Sequence, residues 1–220
     1  MSFYPSYQEQ YAKLSTDQKE ALSRIPHVEE IEGWLLLSEA AALYSLAESI
    51  KGGHPLVCEI GSWKGKSAYI FATGLARSNG TVYCVDPFDG DGDEVSKQAY
   101  KESIDQMGMT LLENFKSTME RYDLSKRIKI LPEISVQARK HYTENKIDLL
   151  FIDGNHEYEA VKLDYDLWSP LIPSGGKIVL HDVGAKHIDG PRRVASECII
   201  GSQTWTEVET IGEMVVATKV

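Results

Sequence analysis

The sequence predicts one α/β domain built on a mostly parallel, seven-stranded sheet, and three observations support this. Short apolar segments alternate with amphipathic ones through the middle of the chain, which is typical of a parallel sheet covered by helices on both faces. The last two strand-like segments, 204–209 and 214–217, are joined by a turn too short for a crossover, so we expect an antiparallel C-terminal strand. The 220 residues, 42% of them hydrophobic, suffice for one sizeable core.

The elements follow from local pattern. A helix is predicted over 38–50, where leucine, alanine and isoleucine recur at helical spacing before a Gly-Gly pair. Five short apolar strands come next, at 56–60, 81–85, 127–131, 147–152 and 177–180. The helices predicted after the first strand are one that starts beyond Gly61, a long one over 97–121 that Gly108 can break, and shorter ones over 136–142, 158–168 and 191–200.

The N-terminal segment, residues 1–35, is polar with scattered aromatics and is predicted as a helical extension that can mediate a homodimer. Residues 36–220 are predicted to form the α/β domain itself. The net charge of −10 argues against general binding of nucleic acid or anionic membranes. No apolar run reaches the roughly 18 residues that span a bilayer, and no signal-peptide pattern opens the chain, so a cytoplasmic location is expected.

The first strand and the turn after it predict a nucleotide-type cofactor site. Glu59 ends an apolar strand, and Gly61 opens a turn that leads into a helix. Asp86 ends the second strand in the same way, where a carboxylate can accept hydrogen bonds from both ribose hydroxyls. In open α/β sheets, ligands bind beyond the carboxyl ends of the strands. Two acids in this order favour a site for an adenosine-containing cofactor over the alternative that both acids are merely exposed to solvent.

Three kinds of cofactor fit this turn to different degrees. The turn is one residue short of a Walker A loop, which disfavours a nucleotide-hydrolysing enzyme. It also fails the G-x-G-x-x-G pattern, because Ser62 and Trp63 follow the first glycine, although a NAD-dependent oxidoreductase stays an alternative. S-adenosylmethionine has no phosphates and needs less glycine. Glu59 can lie near its cationic amino-acid end, Gly61 permits close approach, and Asp86 can hold the ribose.

Several blocks of sequence resemble the class I S-adenosylmethionine-dependent methyltransferases, and more narrowly the metal-dependent small-molecule O-methyltransferases that include macrolide sugar methyltransferases and the cephalosporin-pathway enzyme. The matching blocks are 59–62 with Gly65 and Ser67, 85–88, Ser135, 148–156, Gly175-Gly176 and His181-Asp182. The resemblance implies the Rossmann-like fold of that class, and it covers about residues 36–217.

The resemblance also implies roles for individual residues. Glu59, Gly61 and Ser62 are expected near the methionine moiety, Asp86 at the ribose, and Phe88 and Ser135 near the adenine or its rim. The full set of implied cofactor-binding residues is Glu59, Gly61, Ser62, Ser67, Asp86, Pro87, Phe88, Ser135 and Asp153. A divalent metal is expected on Asp153 and the pair His181-Asp182.

The residues themselves support a metal-assisted reaction. Asp153 and Asp182 end the fourth and fifth strands, and neighbouring strands lie about 4.8 Å apart, so both carboxylates can reach one ion. Oxygen ligands suit Mg²⁺, whereas ligation by His181 admits Mn²⁺; a packing role for His181 stays open. His156 lies in the loop beyond Asp153 and is the candidate general base. The expected acceptor is a hydroxyl of a small molecule, with a sugar or glycosylated metabolite as the first choice by resemblance. A non-catalytic cofactor-binding module is a further alternative.

Overall fold

A computed structural model of the protein describes residues 5–93 and 96–220. The strands within these residues form one sheet in the order β3-β2-β1-β4-β5-β7-β6. They are β1 (Leu56–Ile60), β2 (Thr81–Val85), β3 (Ile128–Leu131), β4 (Leu149–Ile152), β5 (Lys177–Leu180), β6 (Trp205–Ile211) and β7 (Met214–Lys219). Strands β1 to β5 pair in parallel, and β7 is antiparallel to both of its neighbours. The predicted seven-stranded, mostly parallel sheet is confirmed.

The helices cover both faces of this sheet. They are α1 (Tyr7–Ala12), α2 (Thr16–Ser23), α3 (Leu37–Ser49), α4 (Lys66–Gly74), α5 (Lys97–Asp105), α6 (Leu111–Arg121), α7 (Ser135–His141), α8 (Tyr158–Trp168) and α9 (Gly190–Val194), which continues as a π-helical turn over Ala195–Ile199. The long stretch predicted over 97–121 is two helices, because Gly108 adopts a φ of +67° between them. A left-handed residue ends a helix, so the predicted break is confirmed.

Two hydrophobic clusters fill the space between the sheet and its helices. Side chains alternate along β1, so Val57 packs with α3 and α4 on one face while Cys58 packs with α7 and α8 on the other. Phe71 is fully buried in the first cluster and Trp168 in the second. Burying a large apolar side chain contributes about 1.5–3 kcal/mol, so these two layers hold the strand ends that carry the site in fixed positions.

The N-terminal segment packs against the first of these clusters. Ile25, Val28 and Ile31 are buried there together with residues of α3. Residues 1–4 lie outside the described part, and the division of the chain at residue 35 stays a prediction. Across the described residues, no helix has both the length and the apolar character needed to cross a bilayer.

Candidate active site

The turn after β1 is packed against the end of β4. Gly61 adopts a φ of +89°, and its N–H donates to the carbonyl of Val85 at 2.9 Å. A Cβ on Gly61 would lie 2.0 Å from the carbonyl oxygen of Asp153. Any other residue would therefore push the turn away from β4. The glycine keeps the predicted cofactor turn next to the predicted metal ligand.

Asp86 holds the same turn from the other side. Its Oδ2 accepts hydrogen bonds from the backbone N–H groups of Ser62 and Trp63, both at 2.9 Å, and its Oδ1 accepts one from Phe88 at 2.6 Å. Burial raises the pKa of Asp86, while these three donors oppose the rise. An ionised carboxylate offers about four acceptor positions, so one is left for a ligand hydroxyl. Asp86 thus shapes the turn and still faces the cavity beside it.

Glu59 lies beneath the turn and is completely buried. Burial raises the pKa of its carboxyl group to about 7, although the side chains of Ser62, Ser67 and Cys84 beside it favour the ionised form. Among the described residues, neither carboxyl oxygen makes a hydrogen bond of regular geometry. A buried carboxyl whose oxygens make no regular hydrogen bond is costly. Glu59 is not among the described residues that line the cavity beside Asp86, so its expected place near the methionine moiety stays a prediction.

The other predicted cofactor residues divide into two groups. Ser62, Ser67, Pro87 and Ser135 line the same cavity as Asp86. The ring of Phe88 is buried against Phe115, with 5.2 Å between ring centroids, and among the described residues it does not belong to the cavity wall. The proposed contact of Phe88 with the adenine stays a prediction.

Three side chains converge where β4 and β5 end. The Nδ1 atom of His181 lies 3.0 Å from Oδ1 of Asp153 and 3.1 Å from Oδ2 of Asp182. Consecutive residues of a strand would point to opposite faces. β5 ends at Leu180, and Asp182 turns back with a φ of +58°, so both side chains face Asp153. The potential ligand atoms of Asp153, His181 and Asp182 lie within 4.8 Å of one another.

His156 stands between two carboxylates of this region. Its Nδ1 lies 2.6 Å from Oδ2 of Asp93, and its Nε2 lies 3.0 Å from Oδ2 of Asp182. Burial would lower the pKa of His156, but the two carboxylates outweigh it and raise the pKa to about 10. Burial would raise the pKa of Asp182, yet His156 and His181 lower it well below its usual range. Opposite charges therefore hold these side chains together.

One cavity joins the turn after β1 to the acidic cluster. Its volume of about 540 Å³ is within the usual range for small-molecule sites. Asp86 and Ser135 line it, as do Asp153 and His156. Carboxylates dominate its charged wall, at Glu32, Asp86, Asp89, Asp91, Glu133, Asp153, Asp164 and Asp182, whereas Lys66 is the single lysine or arginine among its described lining residues. Most of the predicted site residues thus surround one space with a negative field.

Several wall and support residues were not predicted from the sequence. The rings of Trp34, Trp63 and Tyr100 form an aromatic wall, with centroids 4.4 Å apart for Trp63 and Tyr100 and 5.4 Å apart for Trp34 and Tyr100. Asp93 and Glu39 contact the two histidines. No pattern within one element could reveal these residues, because their partners lie far away in the chain.

Comparison with known proteins identifies a family. Residues 58–183, more than half of the chain, match a family model described as a methyltransferase domain. An O-methyltransferase from Bacillus cereus, solved in complex with SAH, is 16% identical and superimposes with a TM-score of 0.63 over 96% of each chain. The match spans both the cofactor turn and the acidic cluster.

Two further solved structures share the fold. TomG from Streptomyces achromogenes, an O-methyltransferase involved in tomaymycin synthesis and solved with SAM, is 15% identical, with a TM-score of 0.63 over 94% of this chain and 91% of that one. The O-methyltransferase NovP is 17% identical, with a TM-score of 0.65 over 84% of this chain and 80% of that one. At these identities the likeness concerns the fold.

Proposed function

The chain belongs to the class I S-adenosylmethionine-dependent methyltransferases, and from this premise we propose that it methylates a hydroxyl group of a small molecule with the help of a divalent cation. One observation carries the proposal. A single cavity runs from the turn at Gly61 and Asp86 to the side chains of Asp153, His181 and Asp182. A methyl donor bound at the first end would have its acceptor beside the second.

The predicted cofactor residues fit S-adenosylmethionine. Asp86 has one acceptor position left for the ribose, and Ser135 lines the wall at the start of α7. Ser62 and Ser67 line the cavity and lie beside the buried Glu59, near which the amino-acid portion of the cofactor is expected. The NAD-dependent alternative has no support from the family match.

The acidic cluster fits a divalent cation. Among the described contacts, Nδ1 of His181 is buried and has no hydrogen bond of regular geometry, although two carboxylate oxygens lie at ion-pair distance. A ring nitrogen and two carboxylates that converge in this way match the ligands of Mg²⁺ or Mn²⁺. Asp153, His181 and Asp182 would hold the ion, which would stabilise negative charge on the acceptor oxygen.

His156 is the proposed general base. Asp93 accepts a hydrogen bond from Nδ1, while Nε2 lies 3.0 Å from Oδ2 of Asp182. A cation held by Asp182 would weaken that contact, and Nε2 would then take the proton of the acceptor hydroxyl. The oxygen then forms a bond to the methyl carbon as the carbon–sulfur bond breaks, and S-adenosylhomocysteine leaves. With a pKa of about 10 between its two carboxylates, His156 is protonated at neutral pH. Positive charge shared by Asp153 and Asp182 would lower that pKa toward the range in which a base works.

The acceptor is proposed to be neutral or cationic, with a sugar or glycosylated metabolite as the first candidate. The cavity wall carries many carboxylates and Lys66, whose Nζ already lies 3.4 Å from Glu29. Such a field disfavours phosphates and carboxylates. The rings of Trp34 and Tyr100 offer a surface on which a sugar or aromatic ring can pack. A homodimer and the absence of nucleic-acid and membrane partners remain part of this proposal.

The experiment is a screen of hydroxyl compounds with methyl-labelled S-adenosylmethionine, run with Mg²⁺, with Mn²⁺ and with EDTA. We expect label transfer to at least one neutral acceptor, and we expect EDTA to abolish it. Asp153→Asn should lose label transfer with either ion and retain calorimetric binding of S-adenosylhomocysteine. Cofactor binding without transfer to any acceptor would favour a non-catalytic binding module. Full activity of Asp153→Asn would remove the metal from the proposal.

A further inference from the structure

Glu39 is a fully buried carboxylate in α3, outside the sequence region that matches the family. Two backbone groups donate to it. The N–H of Leu36 reaches Oε2 at 2.7 Å, and the N–H of Glu213 reaches Oε1 at 2.6 Å. The turn between β6 and β7 comes this close because Gly212 has no side chain, since a Cβ there would lie 2.4 Å from Oε1. Each oxygen of the carboxylate is therefore fixed by a backbone hydrogen bond.

The third partner of Glu39 is His181. Nε2 of His181 lies 3.3 Å from Oε2, and both side chains are almost completely buried. A carboxylate that already accepts two backbone hydrogen bonds can only accept another, so Nε2 carries a proton and is not available as a ligand atom. The opposite nitrogen, Nδ1, faces Asp153 and Asp182. Glu39 thus sets which ring nitrogen is turned toward the cluster.

We infer that Glu39 is a positioning residue that fixes His181 with Nδ1 as a metal ligand, and that the site consequently prefers a transition ion such as Mn²⁺ to Mg²⁺. The inference rests on the proposed function, because it assigns the ligand atom and the class of ion at the same site. An imidazole ligand suits Mn²⁺, Fe²⁺, Co²⁺ and Zn²⁺, whereas Mg²⁺ favours carboxylates and water. A carboxylate that accepts the second N–H of a ligating histidine orients the ring and raises its basicity.

Glu39→Gln tests this positioning. The glutamine amide keeps one acceptor oxygen but places an NH₂ group opposite one of the N–H donors. The hydrogen bonds that orient His181 should therefore weaken. We expect the Kd for Mn²⁺, measured from the EPR signal of the free ion, to rise about 10- to 100-fold. The Kd for Mg²⁺ and that for S-adenosylhomocysteine should change much less. The matched control is Glu48→Gln, an exposed position in the same helix, which should leave all three constants unchanged.

A double-mutant cycle shows whether Glu39 acts through the histidine. In a His181→Asn background, Glu39→Gln should weaken Mn²⁺ binding by less than about 3-fold. Equal losses in both backgrounds, or an unchanged Kd in Glu39→Gln, would overturn the inference. If wild-type protein binds neither ion, the metal part of the proposed function fails instead. Mn²⁺ binding that Asp153→Asn abolishes and Glu39→Gln leaves intact overturns only the role of Glu39.

A second measurement avoids variants of the buried carboxylate. Wild-type protein loaded with Co²⁺ should show one hyperfine-shifted, solvent-exchangeable proton resonance, from Nε2–H of His181. The buried hydrogen bond to Glu39 should slow its exchange. The resonance should be missing in His181→Asn. A Co²⁺-loaded protein without such a resonance would contradict ligation through Nδ1, even if Glu39→Gln failed to fold.

Discussion

The Oδ2 atom of Asp93 lies 2.6 Å from Nδ1 of His156, although the two residues are 63 positions apart. Their side chains are only 3% and 10% exposed, so water competes little for the contact. Asp93 also accepts from the N–H of Ser96, which fixes the carboxylate just before α5. The loop after β2 therefore determines which way the imidazole in the loop after β4 faces.

Asp93→Asn should lower kcat by roughly 10- to 100-fold, because the imidazole loses the partner that orients it as a base. The loss of that charge should also move the acidic limb of the kcat/KM profile to lower pH, since the carboxylate raises the pKa of His156. Binding of S-adenosylhomocysteine should be unchanged. Asp105→Asn, an exposed position at the end of α5 that does not line the cavity, is the control. Superimposable pH profiles for the two variants would exclude the proposed role of Asp93.

Glu59→Gln should change how stability depends on pH. The pKa of Glu59 is about 7 in the folded protein against an ordinary 4.5, so folding favours its protonated form. The resulting contribution to the free energy of unfolding is fully present below pH 4.5 and is lost as the pH rises to 7. The loss amounts to about 3 kcal/mol at most. The stability of Glu59→Gln relative to wild type should therefore rise across this window. Urea unfolding at several pH values measures the difference.

The matched control for this series is Glu159→Gln, an exposed glutamate in the first turn of α8. Its stability relative to wild type should be nearly independent of pH between 4.5 and 7. If the stability of Glu59→Gln relative to wild type were also independent of pH, the buried carboxyl would titrate normally. Loss of cofactor affinity in Glu59→Gln, despite higher stability at pH 8, would identify a group that serves binding at the expense of folding.

The sequence was sufficient for the parts of the site that depend on strand order. Asp153 and Asp182 were predicted to meet because β4 and β5 are neighbours, and register pairs Ile152 with Leu180. The sequence could not show that Asp182 would adopt a left-handed φ, which brings His181 into the same cluster. The alternation of side chains along a strand predicts instead that His181 and Asp182 point to opposite faces of the sheet.

The site residues that the sequence did not predict escaped it for a physical reason. Glu39 contacts His181 across 142 positions, and Asp93 is one of several acids in its loop. Their importance comes from burial and from a partner in another element, and neither leaves a periodic signal in sequence. Trp34, Trp63 and Tyr100 meet for the same reason, from three separate parts of the chain.

Asp86→Asn should weaken binding of S-adenosylmethionine roughly 10-fold or more, because an amide has one acceptor oxygen where the carboxylate has two. Asparagine also loses either the acceptor of the Phe88 N–H or the one that Ser62 and Trp63 share, which should reduce the free energy of unfolding by about 1–3 kcal/mol. Calorimetric titration well below the melting temperature separates the two effects. Asp105→Asn, exposed at the end of α5, should change neither quantity. Unaltered cofactor affinity in folded Asp86→Asn would exclude the ribose contact.

The charge of the cavity should select among acceptors. Glu32, Asp89 and Asp91 face the cavity outside the cluster of Asp153, His181 and Asp182. A neutral hydroxyl compound should therefore react with a kcat/KM about 10-fold or more above that of its phosphorylated analogue. Because these charges are partly exposed, raising the salt concentration from 50 mM to 500 mM should narrow the difference. Replacing Asp89 and Asp91 together by asparagine should also narrow the difference in kcat/KM between the two acceptors, with the kcat for the neutral acceptor nearly unchanged. A phosphorylated acceptor that reacts as well as the neutral one at low salt would show that the acceptor lies beyond the reach of these carboxylates.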